Sequence, residues 1–146
     1  MESNELFSIG QHALAAQSFS RLLGTKLMEF QPGEVVLELP VHEKLLQQNG
    51  FVHGGVLSYA ADNALTFVGG SVLGPNVLTS EYKINYLRPA IGEKLVARGT
   101  VVYAGKLQAV CRCDVLVIKD GGEETLCATA QGTIVTIASE KSETGC

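Results

Sequence analysis

The 146-residue chain has no tryptophan, four prolines and four cysteines, and its charges form no block of one sign. Each shortage excludes something. No apolar run approaches the roughly 18 residues that cross a bilayer, and residues 1–10 lack the basic start and apolar core of a secretory signal. A cytoplasmic protein with no membrane partner is expected. The 11 Lys and Arg are scattered among 15 Asp and Glu, for a net charge of -4, so the basic patch that nucleic acid requires is missing. Cys111, Cys113, Cys127 and Cys146 show no Cys-x-x-Cys or Cys/His spacing, and His12, His42 and His53 are too dispersed to complete a metal site. Cys111 and Cys113 stand two apart in a strand-like run, which predicts reduced thiols buried on one face. Cys146, at the last position, is expected to be frayed. No repeat, low-complexity tract or linker divides the chain, so residues 1–146 are expected to form one domain.

What is present is apolar. Hydrophobic residues make up 46% of the chain and mean hydropathy is +0.20, more apolar surface than one small domain buries without self-association. Residues 4–23 carry a rough helical period, with a break expected near Gln17 and Ser18 and a stop at Gly24. Residues 26–40 predict a hairpin about Pro32-Gly33. The stretch from Gly54 to Val68 has no proline and is too long for a strand. A helix ended by Gly69-Gly70 is expected there, apolar on nearly every face and therefore buried. Four long strands follow, at residues 77–87, 94–104, 107–119 and 124–138, separated by short Gly- or Pro-bearing segments that predict antiparallel neighbours. The tail 139–146 predicts disorder. The fold class is α+β: a sheet wrapped around one buried helix.

One acid interrupts that helix. Asp62 lies about two turns from Gly54, and Ser58 and Thr66, four residues to either side, make a narrow polar stripe with it. A carboxylate held among apolar groups loses hydration, which makes it a stronger base. Two structural roles compete: capping a helical segment that starts at Asn63, or pairing with a cation across an interface. At the helix start, His53-Gly54-Gly55 leaves backbone N–H groups open to a ligand, with the helix dipole behind them, which outlines an oxyanion site. His53 itself is better suited to fixing the loop through backbone hydrogen bonds than to acting as a general acid.

The segment from Asn49 through His53-Gly54-Gly55 to Asp62, with the run from Thr79 to Pro89, resembles the hotdog-fold acyl-CoA thioesterases of the phenylacetate-pathway (PaaI-like) type. The likeness covers residues 24–137. It implies a hotdog fold, dimers with sheets joined edge to edge, often tetramers of those dimers, no cofactor, and two sites across each dimer interface. In the roles it implies, Asp62 deprotonates or orients water, or attacks directly, and the Gly55 amide polarises the thioester carbonyl from the other subunit. An upstream amide assists; the family spacing points to Gln47, with Gln48 and Asn49 as rivals. Thr79, ten residues before Pro89, helps hold the water, while Ser80 points the other way in a regular strand. Arg88, Lys106 and Arg112 are candidates for the CoA phosphates, against the plainer role of solvated surface charge.

Thioester hydrolysis suits this short list of groups, because a thiol leaving group with a pKa of about 8.5 needs little help from an acid. Two other readings stand beside it. A hotdog enoyl-CoA hydratase would need an Asp and His five apart, a pattern this sequence lacks. A non-catalytic acyl-CoA binder would gain nothing from a desolvated carboxylate. Acyl preference is not legible, since nine Phe and Tyr without Trp suit aryl and medium-chain groups alike. Gly55 and Asp62 lie about 12 Å apart along the helix, so they are expected to serve two sites, and a monomer is expected to be inactive.

Overall fold

The computed structural model describes residues 2–138; the tail 139–146, with Cys146, lies outside the described residues. Residues 3–23 form two helices, α1 (Ser3–Ala16) and α2 (Ser18–Leu23), divided at Gln17, whose extended backbone (φ -83°, ψ 106°) interrupts the helical turn. Gly24 ends α2 in the left-handed region at φ 77°, a conformation that glycine adopts without strain. Strands β1 (Lys26–Gln31) and β2 (Glu34–Pro40) form the expected hairpin, with Gly33 at φ 87° in its turn. A single 3-10 turn (Glu43–Leu45) and a loop lead into α3 (Gly54–Leu73). Strands β3 (Val77–Tyr86), β4 (Lys94–Ala104), β5 (Gln108–Ile118) and β6 (Glu124–Thr136) complete a six-stranded antiparallel sheet in the order β1-β2-β4-β5-β6-β3. The result is a long helix held by a curved sheet.

Three expectations need correction. First, α3 runs twenty residues and passes through Gly69-Gly70 to stop at Gly74. Gly69 is there for proximity: a Cβ on it would lie 2.6 Å from the Cβ of Ile134 on β6. Second, β3 does not neighbour β4. It pairs with β6 at the far edge, because residues 87–93 cross the end of the sheet. Three strand spacings amount to about 14 Å, within the roughly 23 Å that seven extended residues span. The crossover is tied down as it goes, with Leu87 N–H donating to Cys127 O (2.8 Å), Val52 N–H to Ala90 O (3.0 Å) and Glu93 N–H to Ile118 O (2.8 Å). Third, the helix is not buried all round. Leu57, Ala60, Ala61, Ala64, Leu65 and Val68 are buried against the sheet, while Gly55 is exposed and Tyr59, Asp62, Asn63, Thr66 and Gly70 are only partly buried. At about 100° per residue these positions form one continuous arc.

The sheet is trimmed to receive the buried half. Ala109, Cys111 and Cys113 on β5 and Ala128 and Ala130 on β6 are buried small residues, and a Cβ on Gly99 of β4 would lie 3.2 Å from the Ala64 carbonyl oxygen. Burial pushes the thiol of Cys111 up to about 11 and that of Cys113 up to about 12, so both stay neutral and act as small apolar groups. Gly69→Ala is expected to lower stability by about 1–3 kcal/mol in urea unfolding. Adding Ile134→Ala should not fully restore it, because the nearest atom, at 2.6 Å, is the Cβ that alanine keeps.

Candidate active site

The start of α3 is organised by the side chain that precedes it. His53 is the N-cap, and its Nδ1 accepts the Gly55 N–H at 2.8 Å, so the loop-fixing role expected of it is realised. This acceptor role leaves any ring proton on Nε2. The consequence falls on the glycines. The Gly55 amide is taken by the ring, whereas the Gly54 amide, at the first helical position, has no hydrogen-bond partner among the described residues. The Gly54 carbonyl accepts the Tyr86 hydroxyl at 3.4 Å.

The preceding loop selects among the three amide side chains. Gln47 closes it: its N–H donates to Phe51 O (2.8 Å), and its carbonyl accepts Gly50 N–H (3.0 Å), with Gly50 at φ 85°. Its side-chain Oε1 accepts the N–H groups of Asn49 (2.5 Å) and Phe51 (3.4 Å). Only the oxygen end can face two donors, so Nε2 points away from the loop with its hydrogens available. Gln47 is half-buried; Gln48 and Asn49 are exposed.

Asp62 faces β3. Its Oδ1 accepts the Thr79 hydroxyl at 2.7 Å, and the Thr66 hydroxyl lies 2.9 Å from that of Thr79 and 2.9 Å from the Asp62 carbonyl oxygen. Thr79 commits its one hydrogen to the carboxylate, so it receives from Thr66 or not at all. Oδ2 has no partner among the described residues. One turn nearer the helix start, Ser58 bonds the Tyr82 hydroxyl. A bulge between Thr79 and Glu81 makes this possible: by extruding Ser80 it lets Thr79 and Tyr82, three apart, both face α3.

A second polar cluster was not legible in the sequence, where Tyr59 counts as apolar. On the α2 side of α3, the Tyr59 hydroxyl lies 2.6 Å from Ser20 Oγ and 2.7 Å from Thr25 Oγ1, and it accepts Asn63 Nδ2–H at 3.3 Å. Ser20, 1% exposed, donates to Gln17 Oε1 at 2.6 Å. Because each hydroxyl has one hydrogen, the order is forced: Thr25 donates to Tyr59, Tyr59 to Ser20 and Ser20 to Gln17. The signal was the i, i+4 spacing of Tyr59 and Asn63 opposite Ser20 in an apolar helix.

The three candidate phosphate-binding cations are exposed and in no ion pair among the described residues. Arg88 follows β3 near Tyr86 and the start of α3, and Lys106 is in the β4–β5 turn at the other end of the sheet. Arg112 lies between Cys111 and Cys113, which face α3, and so projects from the opposite face. Within one chain these three cations do not converge. Asp62 and the Gly54 amide do not meet either.

Residues 49–124 match the family described as the thioesterase superfamily. A protein of Halobacterium salinarum whose name calls it an esterase is 33% identical over 120 residues, covering 76% of this chain and 79% of the relative. Human acyl-coenzyme A thioesterase 13 is 31% identical over 105 residues, 68% of this chain and 73% of the relative. A thioesterase-family protein from Silicibacter pomeroyi superposes with a TM-score of 0.86 at 30% identity, covering 94% of this chain and 100% of that one. The PaaI protein of the E. coli phenylacetic acid degradation operon, at 21% identity and TM-score 0.81 over 93% of this chain and 96% of that one, shares the fold. The chain belongs to the thioesterase superfamily, has the hotdog fold, and is a thioester hydrolase.

The Tyr59 chain of hydroxyls gives a prediction of its own. Tyr59→Phe leaves Ser20, Thr25 and Asn63 without their common partner, and an expected loss of about 1–3 kcal/mol in unfolding free energy follows from the buried groups it orphans.

Proposed function

We propose that the protein hydrolyses acyl-CoA thioesters in a site made by two copies of the chain, with Asp62 from one and the helix start from the other. The observation that carries this is Asp62 itself: an acid gripped through Oδ1 by Thr79, with Oδ2 open, on the partly exposed flank of α3 beside the unpaired edge of β3. The human relative's name gives CoA thioesters as its substrate. Within that site the thioester carbonyl oxygen accepts the N–H of Gly54 of the partner subunit and a hydrogen from Nε2 of Gln47 of the partner subunit. The positive end of the helix dipole stabilises charge as it develops there.

Gly54 is preferred to Gly55 in this role because His53 already holds the Gly55 amide. Gln47 is preferred to Gln48 and Asn49 because its oxygen is anchored and its nitrogen directed outward. Asp62 acts through Oδ2, either taking a proton from water as that water attacks the carbonyl carbon or attacking directly and being released by water. In both routes the C–S bond breaks and CoA leaves as a thiolate, a good leaving group near neutral pH. Thr79 positions the carboxylate rather than the water, since its hydrogen is on Oδ1. Arg88 and Lys106 remain candidates for the CoA phosphates; Arg112, on the far face, is the weakest of the three.

Mixing experiments test the shared site. Asp62→Asn should lower kcat about 10²–10⁴-fold. Gly54→Pro removes one N–H at a position where proline is accepted in a helix, and it should cost about 10²–10³-fold. An equimolar mixture of the two, dissociated and reassociated, should recover about a quarter of wild-type activity, because half the dimers are mixed and each has one intact site. Recovery of nothing would place both groups in one chain. For Thr79, the expectation is that Thr79→Val lowers kcat about tenfold or more with little change in KM, while Thr79→Ser keeps it; equal losses in both would remove the hydroxyl from the argument.

A further inference from the structure

We infer that Ser58 and Tyr82 read the acyl group, and that the protein favours acyl-CoA thioesters whose acyl part carries a hydroxyl or keto oxygen a few bonds from the thioester carbon. The inference rests on the reading of Asp62 as the acid that acts on that carbon. It does not depend on which chain supplies the amide facing it.

The observation is a count of hydrogens. At four successive turns of α3, Gly54, Ser58, Asp62 and Thr66 are each bonded to a side chain of β3. At the first, Tyr86 gives its hydrogen to the Gly54 carbonyl oxygen. At the third, Thr79 gives its hydrogen to Asp62 Oδ1. At the fourth, Thr66 gives its hydrogen to the Asp62 carbonyl oxygen or to Thr79 Oγ1. The second turn differs. Ser58 and Tyr82 hold two hydroxyl hydrogens between them and make one bond, with no further side-chain partner for either oxygen among the described residues. Whichever of the two donates, one O–H hydrogen is left over.

That donor is well placed. Residues four apart on a helix have Cβ atoms about 5–6 Å apart, so it lies one turn from Asp62, within reach of a group a few bonds from the carbon that Asp62 acts on. The CoA half of the substrate ends in charged phosphates and must run out to solvent, so the half that lies along the α3–β3 junction is the acyl group. The junction has length in one direction only. Past Thr79 towards the strand's start, β3 has just Val77 and Leu78 left, and Val77 lies against Gly70, where an added Cβ would be 3.5 Å from the valine side chain. Towards Tyr82 the strand continues to Tyr86.

Replacement of water decides the preference. Ser58 and Tyr82 are both partly buried, and Tyr82 packs against the hydrophobic core, so a group lying over them displaces the water that meets the spare hydrogen. A plain hydrocarbon chain puts no acceptor in its place, which loses affinity. A hydroxyl or keto oxygen takes the hydrogen instead.

The test compares kcat/KM for 3-hydroxyacyl-CoA and 3-oxoacyl-CoA with that for the unsubstituted acyl-CoA, at the chain length the wild type cleaves fastest. Intrinsic reactivity cancels when one substrate pair is followed across proteins, so the readout is the change in each ratio from wild type to variant. Ser58→Ala combined with Tyr82→Phe removes both hydroxyls and should lower both ratios about tenfold. Each single substitution leaves one hydroxyl with its hydrogen and should lower them less than about threefold. A double variant with wild-type ratios, the result if the pair met the pantetheine arm or only braced the helix, would overturn the inference. So would a fall confined to the 3-hydroxy compound, since a keto oxygen can only accept, or a single variant that loses as much as the double. Binding gives an arm that needs neither turnover nor the double variant: Asp62→Asn should bind the 3-oxoacyl-CoA about tenfold more tightly than the plain acyl-CoA by calorimetry, and equal affinities would overturn the inference as well. Failure of the catalytic reading looks different, because Asp62→Asn would then hydrolyse these thioesters at the wild-type rate while the ratios still report on Ser58 and Tyr82.

Discussion

The helix seats closely in the hollow of this sheet where one or other facing surface is trimmed to glycine, alanine or cysteine. Gly69 meets Ile134, Gly99 meets the Ala64 carbonyl, and Ala109, Cys111 and Cys113 of β5 and Ala128 and Ala130 of β6 are buried and small. Close seating brings the flanks of α3 within hydrogen-bonding reach of what lies beside it, and the polar chemistry follows from that. On one flank, Ser58, Asp62 and Thr66 reach β3; on the other, Tyr59 and Asn63 reach α2 and Thr25. Buried polar groups are tolerated when every donor has an acceptor, and among the described residues no fully buried side-chain nitrogen or oxygen lacks a partner.

The two flanks do different work. The α2 flank is a closed relay of hydroxyls, with the direction of each bond dictated by the count of hydrogens, and its effect is to lock helix to helix. The β3 flank is incomplete. Asp62 has one oxygen engaged and one open, and the strand that holds it has one edge paired and one bare. Rigidity on one side and incompleteness on the other are what a site needs if it is to be finished by another molecule without losing its geometry.

Much of this was visible in the residues, and the failures have physical causes. The alternating strands, the Pro32-Gly33 turn and the long apolar run from Gly54 were legible because their periodicity is local. The Gly69-Gly70 pair misled because a glycine that permits close packing and a glycine that ends a helix look the same until the partner, Ile134, is known. The neighbour of β3 misled because a short connection says how far the chain travels, not over what: seven residues suffice to cross the end of the sheet. The stripe of Ser58, Asp62 and Thr66 was readable from the helical period alone. What it faced, and that Thr79 would hold the carboxylate rather than a water, depended on a bulge at Ser80 that no pattern announced. His53 was rightly expected to fix its loop, but the amide it fixes is the one assigned to catalysis by resemblance, and this moves the proposed oxyanion donor from Gly55 to Gly54.

The proposed sharing of the site between two chains answers a conflict that one helix cannot. The N–H groups that stabilise a developing oxyanion are open only in the first turn, where the dipole is positive. A carboxylate placed in that same turn would take those N–H groups as a cap and would be held by the very field meant for the substrate, weakening it as a base. Setting the acid two turns along removes it from that field but puts it about 12 Å from the donors. In the proposed shared site each acid would meet the positive end of a helix that is not its own, which closes the distance without restoring the conflict.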